Sequence, residues 1–119
     1  MNLIKIAHSR LPKPWKPIEN DDALALGRML YSDTIADTVQ DELQREIREG
    51  HPLYGVECSP VAYDADTGHD FLFLTGKPGS PFILVHFTWK EETQPEFPFI
   101  IEFRCFDDFI RNELEHHQT

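Results

Sequence analysis

A chain of 119 residues has room for one hydrophobic core, and 40% hydrophobic residues with 12% aromatics exclude a disordered polymer. No stretch approaches the ~20 consecutive apolar residues that a membrane-spanning helix needs. With 21 acidic residues against 11 basic ones the formal net charge is −10, a balance that repels phosphate backbones and anionic headgroups and weighs against nucleic acid and membrane as partners.

The charge is unevenly spread. Residues 1–18 hold Lys5, Arg10, Lys13 and Lys16 and no acid, so the remainder carries 7 basic against 21 acidic groups, a net −14. Residues 1–19 read as a basic arm, with a short strand possible at Leu3–Ala7. Pro12, Pro14 and Pro17 bar a helix or a central strand, and Trp15 is the residue to pin the arm to the body.

Residues 20–50 read as two helices. Asn20 caps the first, with Asp21 and Asp22 complementing its dipole. Thr34 and Asp37 open the second, along which Ile35, Val39, Leu43 and Ile47 recur every four residues. Gly50 and Pro52 stop it. Its other face, with Asp37, Asp41, Glu42, Gln44, Arg45 and Arg48, reads as solvated surface.

From Leu53 to Cys105 the pattern is that of strands: Tyr54–Tyr63, Asp70–Thr75, Phe82–Trp89 and Phe99–Cys105. Turns at Asp64–Gly68 and Gly76–Ser80 make the first three an antiparallel meander. The acidic connector Glu91–Glu96 leads to the fourth. A C-terminal helix over 106–116 follows, with Phe106, Phe109, Ile110 and Leu114 on one side. The expected fold is therefore one α+β domain over 1–119: two N-terminal helices, a four-stranded antiparallel meander and a C-terminal helix on one sheet face.

Alternation on the two apolar strands predicts that Ile83, Val85, Phe87 and Trp89 share a core face with Phe99, Ile101, Phe103 and Cys105. Phe82, Leu84, His86 and Thr88 would then lie beside Ile100, Glu102 and Arg104. That second face is half apolar and half charged, so it is either covered by the arm or faces a partner.

Six histidines are present, none in a spacing characteristic of zinc, so no metal and no cofactor are expected. No nucleophile elbow or phosphate loop occurs, and catalysis is not expected. If there is chemistry, His86 would act as acid or base with Glu102 setting its tautomer, Thr88 beside it and Arg104 holding an anion. Met1–His8 lacks a secretory signal, and Cys58 and Cys105 form no disulfide framework, which points to a reducing, cytoplasmic setting.

His51-Pro52-Leu53-Tyr54-Gly55, Asp70-Phe71-Leu72-Phe73 and Val85-His86-Phe87-Thr88-Trp89 resemble the HPLYG, DxLF and VHxTW blocks of a group of small bacterial proteins. The resemblance covers residues 40–110 and implies a discrete bacterial domain, without implying a reaction. Size and acidity are also similar to those of immunity proteins that neutralise basic toxins. That likeness implies a basic protein partner, met by Asp37, Asp41, Glu42, Glu91, Glu92 and Glu96, or by the His86, Thr88, Glu102 and Arg104 face. A homodimer through that face is a further expectation.

Overall fold

The computed structural model describes residues 3–18, 39–88 and 93–117. In chain order these form α1 (Leu3–His8), β1 (Trp15–Pro17), α2 (Val39–Glu46), β2 (Cys58–Asp64), β3 (Asp70–Thr75), β4 (Phe82–His86), β5 (Phe99–Phe103) and α3 (Phe106–His117). The five strands make one antiparallel sheet in the order β1-β2-β3-β4-β5, so the α+β class and the meander hold. The expected first N-terminal helix, its Asn20 cap and the start of the second lie outside the described residues. No helix among the described residues is long and apolar enough to cross a membrane.

The arm departs from expectation. Leu3–His8 is a helix and not a strand, because a three-residue spacing puts Ile4 and Ala7 together on the sheet while His8 Nε2 hydrogen-bonds the Val61 carbonyl at 2.8 Å. Tertiary contact overrides the β preference of its branched residues. Trp15–Pro17 supplies a fifth strand, and it is an edge strand, the place in a sheet where proline is tolerated. Trp15 does pin the arm: only 5% exposed, it meets Phe109 edge-on with centroids 5.0 Å apart.

Strand β2 starts at Cys58 rather than Tyr54, and β4 ends at His86 rather than Trp89. Pro60 sits where β1 has already ended, next to a bulge at Val61 that breaks the register between Pro60 and Ala62. The bulge turns Val61 and Ala62 to the same side of the sheet.

Each face of the sheet carries its own buried apolar cluster. On one, Phe71, Phe73, Ile83, Val85 and Phe87 pack under Val39 and Leu43 of α2 and under Ile47 just after it. On the other, Leu72, Phe82, Leu84 and Phe103 pack under Trp15, Ala7, Phe106 and Phe109. The expected match of faces between β4 and β5 is overturned. The register pairs Ile83 with Glu102 and Leu84 with Ile101, so Phe99, Ile101 and Phe103 share a face with Phe82, Leu84 and His86. A one-residue slip exchanges faces, and with both faces of β4 apolar the hydrophobic pattern does not choose between the two registers.

Candidate functional site

The sheet face under α3 is sealed only part of the way. Phe106 and Phe109 close it over Phe82 and Phe103, and further along the helix Asn112 and Glu113 line a gap. The gap is a cleft of about 360 Å³ floored by Leu84, Phe99 and Ile101 and walled by Asp64, Thr67, Asp70, His86, Asn112 and Glu113. Phe99 is 60% exposed and Ile101 43%, both on the terminal strand of the sheet, and Leu114 on α3 is 52% exposed. Phe99 and Ile101 both line the cleft, and exposed apolar side chains that cluster make a surface a candidate for interaction.

At the mouth of the cleft Asp70 and His86 are cross-strand partners. His86 Nδ1 hydrogen-bonds Asp70 Oδ1 at 2.8 Å, and this bond raises the His86 pKa above the ordinary imidazole value against an opposing effect of burial. His69 lies against His86 with ring centroids 4.1 Å apart. Burial first, then the neighbouring His86, lowers the His69 pKa. Two imidazoles so close share one carboxylate, and the arrangement favours one proton rather than two.

The turn ahead of His69 is built to hold it. Asp64 Oδ1 accepts the backbone N–H groups of Asp66 and Thr67, and Gly68 takes φ +73° while its N–H bonds the Asp64 carbonyl at 3.0 Å. The Phe87 N–H then donates to the His69 carbonyl at 2.7 Å, locking the turn to the end of β4.

The four side chains expected to converge do not. His86 belongs to the Asp70 cluster. Thr88 turns to the opposite side and donates its N–H and hydroxyl to Glu46. Glu102 points to the α2 side of the sheet and pairs with Lys77, because its register partner is Ile83. Arg104 is exposed after β5, 3.6 Å from Asp108. A catalytic reading built on these four residues has no common space.

The acidic surface also changes. Asp41 and Glu96 are exposed as expected, while Asp37, Glu91 and Glu92 lie outside the described residues. Glu42 is fully buried, with Arg45 3.3 Å away and itself mostly covered, so this side of α2 is not a solvated face. Glu46 is buried with them. Burial above all, then its hydrogen bond to Glu42, drives its pKa up to about 9. Cys58 is buried too, and its thiol is pushed up to about 11, away from nucleophilic use.

Sequence reading missed His69 and Asp70, although a signal for them existed: pairing residues outward from the Gly76–Ser80 turn sets Asp70 opposite His86. Glu113 carried no such signal. Comparison with protein-family models, with curated proteins and with solved structures finds no match.

Proposed function

We propose that this chain is a non-catalytic, acidic protein-binding domain whose cleft and adjoining edge strand receive an extended basic segment of another protein. The observation that supports this is the exposure of Phe99 and Ile101 on β5, next to a cleft whose wall includes the buried carboxyl of Glu113. Among the described residues no strand pairs with the outer edge of β5, so a partner segment has main-chain hydrogen bonds to make there. Apolar side chains of that segment would cover Phe99 and Ile101. The net charge of −10 favours a cationic occupant and speeds its encounter. The narrower form of the reading is an inhibitor or immunity protein that covers a basic toxin, for which the acidity is the support. Two free cysteines, one of them exposed, fit a reducing, cytoplasmic setting.

Fluorescence anisotropy tests the reading with a set of ten-residue peptides alternating Lys or Arg with Leu or Phe, against matched Glu-containing peptides. The basic set binds and weakens as salt rises, and Phe99→Ser and Glu113→Gln each reduce affinity at least tenfold. Equal binding of acidic and basic peptides, or affinity unchanged by Phe99→Ser, overturns it. Light scattering that shows a stable dimer, lost in Phe99→Ser, would instead make a second copy of the chain the occupant.

A further inference from the structure

Among the described residues, His69, Asp70 and His86 are the group whose potential metal-ligating atoms all lie within 4.8 Å of one another. His86 Nδ1 hydrogen-bonds Asp70 Oδ1 at 2.8 Å, and His69 Nε2 lies 4.0 Å from the other carboxylate oxygen, Asp70 Oδ2. That is too long for a hydrogen bond. Two donors each ~2.0–2.1 Å from a tetrahedral zinc ion stand ~3.4 Å apart, so a side-chain adjustment of roughly half an ångström brings this pair onto one ion. From these three side chains we infer a binding site for one divalent transition-metal ion of the zinc class at the mouth of the cleft.

Two imidazoles and one carboxylate suit a borderline ion such as Zn²⁺ better than Ca²⁺ or Mg²⁺, which prefer all-oxygen shells. The site draws on firm parts of the fold. Asp70 and His86 are paired residues at the ends of β3 and β4, and His69 is held by the Asp64-capped turn and by the bond from Phe87 N–H to its carbonyl. Three protein donors leave a tetrahedral ion one position short. Because Asp70 and His86 also wall the cleft, that position opens onto it, where water or a donor atom of the occupant completes the shell. Of the other histidines, His8 and His51 hydrogen-bond main-chain carbonyls at 2.8 Å.

The test is calorimetric titration of Zn²⁺ into the full chain, with Co²⁺ followed by its visible d–d bands. One Zn²⁺ binds per chain, and Co²⁺ gives the intense bands of a four- or five-coordinate ion. His86→Ala and His69→Asn each weaken binding by about thirtyfold or more, and Asp70→Asn, which keeps size and a hydrogen-bonding oxygen, does the same. Replacing His116 and His117 together with Asn leaves the affinity unchanged. Absence of saturable binding to the wild-type chain overturns the inference. So does wild-type affinity in Asp70→Asn with a wild-type thermal melt, or loss of binding only when His116 and His117 are replaced. Peptide binding is measured separately with and without zinc, so failure of the metal site leaves the cleft reading standing, and the reverse.

Discussion

Thr88 donates both its backbone N–H, at 2.7 Å, and its hydroxyl, at 3.0 Å, to the same carboxyl oxygen of Glu46, which lies 42 residues earlier in the chain. The contact closes the α2 side of the sheet just after β4 ends, and it places a titratable group in the interior. The Glu46 carboxyl also hydrogen-bonds Glu42, an arrangement that needs a proton on one of the two acids. Arg45 beside Glu42 offsets part of the charge.

Stability therefore falls with rising pH through this group. The Glu46 pKa in the folded chain is raised to about 9, above its unfolded value of 4.5, so the folded state holds the proton longer. The contribution is whole below the unfolded pKa and is lost as pH rises through the folded one. Glu46→Gln mimics the protonated acid, its amide oxygen accepting from Thr88 and its amide nitrogen donating to Glu42. Between pH 6 and pH 9 the wild type loses at least ~1 kcal/mol more stability than Glu46→Gln in urea titrations. Parallel losses in both proteins would show that Glu46 is ionised when folded. Glu46→Ala, which strands the Thr88 donors in the interior, costs about 2–4 kcal/mol at pH 6.

The basic arm is part of the fold rather than an appendage, and Trp15 is the test. Its ring is buried against Phe109, and β1 pairs Trp15 with Asp64 at the start of the turn that carries His69. Trp15→Ala costs about 3–5 kcal/mol, read as a lower guanidinium midpoint. Trp15→Phe keeps a ring in place and loses less. A midpoint unchanged in Trp15→Ala would show that the arm does not dock.

His51 ties the segment before β2 to the segment before β5. Its Nδ1 accepts the Leu53 N–H at 2.9 Å and its Nε2 donates to the Pro98 carbonyl at 2.8 Å, a pairing that fixes the tautomer. His51→Ala leaves two buried backbone groups without partners and lowers stability by about 2–4 kcal/mol. The neighbouring Gly50 has φ +97°, and a Cβ there would come within 3.1 Å of Pro95 Cβ, so Gly50→Ala costs about 1–3 kcal/mol by strain and contact together. Urea midpoints of the two single variants check both figures; wild-type stability in either would remove that residue from the joint.

Much of this architecture is legible in the residues themselves. Asp70–Thr75 is a strand with the limits its pattern implies, since Gly76–Ser80 supplies the turn and Asp64–Gly68 the preceding stop. The β3–β4 hairpin follows from that turn, and with it the meeting of Asp70 and His86. The β4–β5 register does not follow. The connector from Phe87 to Pro98 is no tight turn, so its length does not set which face is which, and both strands are apolar on more than one face. Glu42 and Glu46 were illegible for another reason. Helical spacing places them beside the apolar stripe of Val39, Leu43 and Ile47, where exposure is the ordinary expectation for a carboxylate, and their burial depends on tertiary partners such as Thr88. His51 carries no periodic signal at all, as its partners are main-chain atoms distant in sequence.

The β5 register has a consequence that separates structure from function on a single strand. Phe99 and Phe103 share one face, yet they meet different surroundings: Phe103 lies under α3 with its ring 5.6 Å from that of Phe109, whereas Phe99 is open at the cleft, its ring 4.7 Å from that of Phe97. Phe103→Ala removes a buried ring and costs about 3–5 kcal/mol. Phe99→Ala changes stability by less than ~1 kcal/mol, because the ring is mostly hydrated already. Guanidinium titration of the two variants checks the contrast, and equal losses would mean that α3 covers the whole face and that no cleft exists. The peptide assay should rank them the other way: Phe99→Ala, folded and stable, binds the basic peptides at least tenfold more weakly. An apolar residue that contributes little to folding and much to binding is what an interaction surface requires of Phe99.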